Sequence, residues 1–280
     1  MIKLFAFDLD GTVLGNNSKL GKSSIEAIKK LDDAGIKVVL ASGRVFSSIK
    51  HIQSLLTISG PIVSTNGSLI SLDGEEIYKT YYIEDDLLIA LYNFCLKHKL
   101  DFHFYDEDTY YTNRLNLRRI KHLKIDNDYG LNYQVGLIIK NDPVSYIISQ
   151  GKKALKFQII GIDENDLSRD KIIDMLKNEI GEELYITASG DHLLEIGNKN
   201  ATKWSSIEEI CKKLGIYSNE VAAIGDAYND LPMVMGAGLG FAMGNAKDKL
   251  KEVADVIVGN NEQGGILEAV NYVLEVNKNV

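Results

Sequence analysis

The sequence predicts an α/β fold: a doubly wound parallel sheet with a separate α+β domain inserted into it. Three observations carry this. Short apolar runs alternate with amphipathic helical patterns at the start of the chain, an order that makes a parallel sheet with right-handed crossovers. From Tyr82 the texture changes to alternating strand patterns that hold most of the tyrosines. From Thr202 the first pattern resumes. The two ends can therefore complete one sheet, since the chain ends of a domain usually lie close together.

Leu4 to Phe7 reads as a strand buried on both faces, ending in Asp8-Leu9-Asp10-Gly11-Thr12. Ile25, Ile28 and Leu31 mark a helix over Ser23 to Ala34, with Ser23 or Ser24 as N-cap and Gly35 as stop. Ile36 to Ala41 is a strand ending at Ser42-Gly43-Arg44, and Phe46 to Leu56 a helix. Pro61 to Ser64 is a third strand, ending at Thr65-Asn66-Gly67.

In the middle stretch, Glu84 to Lys99 is an amphipathic helix, and Asp101 to Tyr105 and Tyr110 to Thr112 are strands. Helices are placed only loosely between Asn116 and Ser149. Ala154 to Ile162 is a strand, Glu164 to Ile180 a helix, and Leu184 to Thr187 and His192 to Ile196 are strands. Beyond Thr202, Trp204, Ile207, Ile210 and Leu214 form one helix face closed by Gly215. Val221 to Gly225, Gly238 to Ala242 and Asp255 to Val258 are strands, and Gly265 to Val276 is a closing helix. The expected division is a Rossmann-like core of residues 1–82 and 195–280 around an insert of residues 83–194.

A chain of 280 residues can bury an ample core, and 45% hydrophobic with 25% charged residues is ordinary for a soluble globular protein. The net charge of −8, with no basic run, speaks against nucleic-acid binding. No stretch approaches the roughly 18 apolar residues that span a bilayer, and Met1-Ile2-Lys3-Leu4 enters a strand without a signal-peptide layout. Cys95 and Cys211 lie far apart in expected helices and read as small buried apolar residues. A cytoplasmic protein, without nucleic acid or membrane as partner, is the expectation.

The polar residues carry the chemistry. Asp8 and Asp10 are two apart at a strand end and point the same way. Their like charges repel, and a divalent cation such as Mg²⁺ removes that cost by taking hard oxygen ligands. Gly11 allows the tight turn and Thr12 can hydrogen-bond within it. Asp8, Asp10, Ser42, Asn66 and Asp226 each stand at the C-terminal end of an expected strand, where open parallel sheets bind ligands. Five residues distant in sequence thus converge on one crevice.

Gly225-Asp226-Ala227-Tyr228-Asn229-Asp230 is a second acidic turn. Asn229 or Asp230 can cap a helix at Leu231-Pro232-Met233, and the cluster can also complete a metal site. Lys203, taken alone, is a solvated surface charge, and Ser42 an N-cap. Both gain weight when an anion must be held between a metal and helix N-termini.

Taken together, Asp8-Leu9-Asp10-Gly11-Thr12, Ser42 in Ala41-Ser42-Gly43-Arg44, Lys203 and Gly225-Asp226-Ala227-Tyr228-Asn229-Asp230 resemble the haloacid dehalogenase superfamily in order and spacing. The insertion between the second and third pieces resembles the Cof-type phosphatases with an α/β cap. The resemblance covers the entire chain.

The resemblance implies a Mg²⁺-dependent hydrolase of phosphoric monoesters. Asp8 is then the nucleophile, Asp10 the general acid and base, and Ser42 and Lys203 the holders of phosphoryl oxygens. Asp8, the Asp10 carbonyl and Asp226 ligate Mg²⁺, with Asn229 and Asp230 in support. Thr12, Gly43, Arg44 and Asn66 face the substrate, and His103, Tyr105, Arg114 and His192 are candidate cap residues for specificity. The partner implied is a small phosphorylated metabolite such as a sugar phosphate, and the chain a monomer or homodimer. A phosphomutase on the same scaffold and a non-catalytic phosphometabolite-binding protein are the alternatives. The sequence departs from the pattern at Lys199-Asn200-Ala201-Thr202-Lys203-Trp204, where Trp204 is bulkier than the small residue expected and Lys199 is the fallback for Lys203.

Overall fold

The computed structural model describes residues 1–15, 19–114, 135–162, 167–190 and 192–279. They form two compact units, one of Met1–Arg44, Ile49–Thr80 and Ala201–Val280, the other of Val45–Ser48 and Tyr81–Asn200.

The chain opens with β1 (Leu4–Phe7), α1 (Lys22–Asp33), β2 (Lys37–Ala41), α2 (Phe46–Leu56) and β3 (Ile62–Ser64). A 3-10 turn, Thr65–Gly67, leads into the hairpin of β4 (Leu69–Ser71) and β5 (Ile77–Thr80). The second unit contributes α3 (Asp85–Lys97), β6 (Asp101–Tyr105), β7 (Thr109–Thr112), β8 (Gly136–Ile139), α4 (Pro143–Ser149), β9 (Lys156–Ile160), α5 (Arg169–Ile180), β10 (Leu184–Thr187) and β11 (Leu193–Asn198). The chain then continues through α6 (Lys203–Leu214), β12 (Val221–Gly225), α7 (Leu231–Gly236), β13 (Leu239–Ala242), α8 (Asp248–Lys251), β14 (Val256–Ile257) and α9 (Gly265–Lys278).

In the first unit the strand order is β14-β13-β12-β1-β2-β3-β4-β5. The strands from β14 to β3 run parallel, and β4 and β5 extend the edge antiparallel. β1 is central and wholly buried, as its unbroken apolar run requires. Phe5 stacks on Phe7 and on Phe241 of β13, at centroid distances of 4.1 and 5.6 Å. β1 pairs with β12 on one side and β2 on the other, so strands from the two ends of the chain meet there. That reversal is where open α/β sheets make a ligand crevice.

The second unit is a six-stranded sheet ordered β10-β11-β9-β6-β7-β8, antiparallel except between β7 and β8. Phe102, Phe104, Phe157, Ile159, Leu194 and Ile196 fill the core on one of its faces with residues of α3, α4 and α5. Cys95 and Cys211 are buried free thiols. Among the described residues no helix is long and apolar enough to cross a membrane.

Several details differ from the sequence expectation. The first helix starts at Lys22 with extended Gly21 as N-cap, because the Gly21 carbonyl already accepts the Ile25 amide. Neither serine caps it. Leu214 is on the expected α6 stripe but is 42% exposed at the helix's last residue; the buried stripe is Lys203, Ser206, Ile207, Ile210 and Cys211. Within 116–149, residues 135–149 hold β8 as well as a helix, while helices expected over 116–134, and the helix start at Glu164, lie outside the described residues. β11 runs to Asn198, past the expected boundary at 194, because it is bonded between β9 and β10.

Candidate active site

β1 delivers Asp8 at its C-terminal end, where the Asp8 amide continues the ladder by donating to the Ile224 carbonyl at 3.0 Å. Asp226 directly follows the end of β12, the strand paired with β1. α6 begins at Lys203, capped by Thr202, whose hydroxyl accepts the Ser205 amide. Lys203 lies on the same helical stripe as Ile207 and Ile210, so the packing that buries those residues buries it too.

The result is a cluster with almost no contact with water. The Lys203 ammonium donates to Asp8 Oδ1 at 2.6 Å and to Asp230 Oδ1 at 2.5 Å, and the Lys203 and Asp230 side chains are 0% exposed. Asp230 Oδ2 accepts the amides of Asp226 and Ala227, at 2.9 and 3.0 Å. Asp230 occupies the N-cap position of α7 without capping it, because its carboxylate is committed to these preceding amides and to the lysine. Asp226 Oδ1 accepts the Thr12 hydroxyl at 3.2 Å.

Asp8, Asp226 and Asp230 each offer an oxygen within 4.8 Å of the other two. Burial, then the charge of Asp230, raises the Asp8 carboxyl well above its ordinary range despite Lys203. The same two causes raise Asp226 to about 7. Lys203 is shifted upward: burial disfavours its charge, but Asp230 and Asp8 outweigh that. Three acids facing one lysine leave negative charge uncompensated. A hard dication fits this donor set, because all the donors are oxygens and the Asp8 and Asp226 carboxyls as they stand resist ionising. Asn229 points the same way: its Oδ1 is buried with no hydrogen-bond partner.

The remaining expected residues gather beside this cluster. Asp10 is paired with Arg44, whose Nε and Nη2 donate to its two oxygens at 2.7 and 2.5 Å. Ser42 is buried at the end of β2, and its Oγ accepts the Arg44 amide at 3.2 Å; Gly43 is the half-buried residue between them. Asn66 is in the left-handed region (φ 60°), and its Oδ1 accepts a hydrogen bond from Asn229 Nδ2 at 3.0 Å. Gly67 (φ 110°) lies so close to α6 that a Cβ would sit 2.2 Å from the Thr202 carbonyl oxygen. The Ser206 hydroxyl donates to the Gly67 carbonyl there.

The fallback lysine, Lys199, is exposed and pairs with Glu183, both in the second unit. Trp204 is accommodated by Gly236: a Cβ there would lie 2.2 Å from the indole. His103 and Tyr105 are buried 3.3 Å apart, with His103 also against Gln158, whereas Arg114 pairs with Asp101 and His192 is exposed.

Sequence reasoning missed two features. Asn245 donates from Nδ2 to the Gly11 carbonyl at 2.8 Å, and Asn261 from Nδ2 to the Leu14 carbonyl at 3.1 Å, so these asparagines fasten the loop after Asp10. Asn245 follows the end of β13, so the strand-end rule applied to β13 could have found it. In the second unit Lys156 and Gln158 both donate to buried Glu195, at 3.1 and 2.9 Å, and these partners become visible only once the strand register is known.

A family model described as haloacid dehalogenase-like hydrolase matches residues 5–270. The chain is 26% identical over 271 residues to the 5-amino-6-(5-phospho-D-ribitylamino)uracil phosphatase YcsE of Bacillus subtilis, covering 97% of this chain and 95% of that protein. It is 30% identical over 256 residues to the HMP-PP phosphatase of Klebsiella pneumoniae, covering 90% and 87%. A solved haloacid dehalogenase-like hydrolase from B. subtilis shares the fold with a TM-score of 0.83, over 96% of this chain and 99% of that one, at 23% identity.

Proposed function

The chain belongs to the haloacid dehalogenase-like hydrolase family, and from that premise we propose that it is a Mg²⁺-dependent phosphatase of small phosphomonoesters that works through an aspartyl phosphate on Asp8. The observation that carries the reading is the cluster of buried Asp8, Lys203 and Asp230 with half-buried Asp226 at the carboxyl ends of β1 and β12.

Asp8 attacks the substrate phosphorus, forming one P–O bond while the bond to the leaving alcohol breaks. Splitting the displacement this way lets a weak carboxylate nucleophile serve. Asp10 gives the leaving oxygen its proton, then takes a proton from the water that attacks the phosphoaspartate and frees Asp8 and phosphate. Lys203 and Ser42 hold the phosphoryl oxygens, over which the charge of the transition state is spread. Asp8, Asp226 and the Asp10 carbonyl hold Mg²⁺, and Asp230 and Asn229 support that set. When bound, the ion neutralises phosphoryl charge as a Lewis acid.

Thr12, through its bond to Asp226, steadies the acidic turn, and Gly43 and Asn66 line the substrate side. The inserted unit, residues 83–194 in the sequence reading, selects the substrate. The names of the two curated relatives support a small phosphorylated metabolite.

The test is phosphate release from a panel of sugar phosphates, nucleotides, flavin mononucleotide and pyridoxal phosphate, with and without Mg²⁺. Metal-dependent release from one group is the expected result. No release by a protein that still binds Mg²⁺ would overturn the reading in favour of a mutase or a binding protein.

A further inference from the structure

The pair between Arg44 and Asp10 is geometrically specified at both ends. On one side, the Arg44 amide donates to Ser42 Oγ at 3.2 Å. Its carbonyl accepts the Thr65 amide at 2.9 Å and the Ser64 hydroxyl at 3.0 Å. Three hydrogen bonds therefore fix the backbone from which the guanidinium projects. On the other side, the Thr12 and Leu14 amides close on the Leu9 carbonyl at 3.2 and 2.8 Å, and Asn245 holds the Gly11 carbonyl. The backbone on both flanks of Asp10 is held as well.

Between these two anchored backbones the side chains meet as a fork, with one guanidinium nitrogen on each carboxylate oxygen. A bidentate pair of this kind fixes the plane of the carboxylate, which an unpartnered Asp samples broadly. Stability is a poor reason for it. The two side chains are 26% and 49% exposed, and exposed ion pairs contribute little.

We infer that Arg44 is a positioning residue for Asp10: its fork holds the carboxylate in the orientation from which the proton is passed to the leaving oxygen. A protonated carboxyl keeps acceptor capacity, so a proton can be carried while the plane stays set. The inference rests on the functional reading above, with Asp10 as general acid. Orientation matters because a displacement of about 1 Å in a reacting group costs on the order of 100-fold in rate.

The test uses two substrates that differ in how much they need the proton: a sugar phosphate, whose alkoxide leaves poorly, and p-nitrophenyl phosphate, whose phenolate leaves well. kcat/KM is the quantity to measure, because it reports only the steps up to departure of the leaving group. Arg44→Ala should lower kcat/KM about tenfold or more for the sugar phosphate and less than about threefold for p-nitrophenyl phosphate. Arg44→Lys, which keeps the charge and loses the fork, should behave like Arg44→Ala and melt like the wild type.

In an Asp10→Asn background the selective loss should vanish, since no carboxylate remains to be positioned. Equal losses on both substrates would overturn the inference, because they would point to a hold on phosphate or on the fold. So would unchanged kinetics, or a selective loss that persists in the Asp10→Asn background. If the wild-type protein releases no phosphate from these or any compound of the panel above, the functional reading itself fails and takes this inference with it.

Discussion

The Lys203 ammonium lies 2.5 Å from Oδ1 of Asp230, and neither side chain has any surface in water. A lysine so placed keeps its charge only because carboxylates face it, and here Asp8 faces it too, at 2.6 Å. The cluster is electrostatically interdependent. Each of its members is held in place by groups that would be costly to bury alone.

Lys203→Met should therefore destabilise the metal-free protein strongly. Removing one partner of a buried pair costs about 3–5 kcal/mol, which lowers the melting temperature by roughly 10 °C in a domain of this size. Acidification to about pH 5 should recover part of the loss by protonating the stranded carboxyls. An unchanged melt at neutral pH would show that the pair contributes nothing.

Asp8→Asn should separate activity from stability. The folded protein raises the Asp8 carboxyl above its unfolded value, through burial and then Asp230. The sign follows: stability linked to that group is present below the unfolded value and is lost as pH rises through the folded one. Asn cannot ionise, so the variant should melt at or above the wild type in metal-free buffer at neutral pH. Turnover should fall by at least about 1000-fold, as expected when a nucleophile is removed. Wild-type-like phosphate release would sink the assignment of Asp8.

Much of this arrangement was legible in the sequence, because a parallel sheet exposes its ligands at strand ends and its strands are unbroken apolar runs. Asp8, Asp10, Ser42, Asn66 and Asp226 were assigned to strand ends by that rule alone. The partnerships were not. Asp10 and Arg44 are 34 positions apart, and only the pairing of β1 with β2 brings their strand ends together. Asp230 read equally well as a helix cap, since a sequence does not say which amides its carboxylate takes. The β4–β5 hairpin was missed because its strands have only 3 and 4 residues, though Asp73-Gly74 between them is a turn signal.

The metal-free protein should lose stability as pH rises toward neutrality, and Mg²⁺ should restore it. Burial and Asp230 lift Asp226 to about 7 from an ordinary value of 3.8. Its contribution is full below the ordinary value and lost as pH rises through about 7. The rise in melting temperature caused by Mg²⁺ should accordingly be larger at about pH 8 than at about pH 5.5. In Asp226→Asn both the pH dependence of the metal-free melt and the Mg²⁺ response should shrink. Thermal scans across pH with and without Mg²⁺ check this, and a Mg²⁺ response equal at both pH values would contradict it.

Gly11→Ala should weaken the metal site with only a modest effect on the fold. Gly11 has φ +86°, and a Cβ there would lie 2.3 Å from Asp226 Oδ2. A side chain in that backbone region costs about 1–3 kcal/mol, and the carboxylate must move aside as well. Asp226 then loses its bond from Thr12, and with it the position from which it can share an ion with Asp8. Mg²⁺ affinity, read by calorimetric titration, should fall about tenfold or more, the usual effect of displacing a group that orients a metal ligand. Gly236→Ala is the control, because its Cβ would strike Trp204 at 2.2 Å and touch none of the carboxylates. That variant should lose about 1–3 kcal/mol through overpacking and still bind Mg²⁺ as the wild type does. If both variants lose affinity alike, the effect of Gly11 is one of general stability and Asp226 is not held by the turn beneath it.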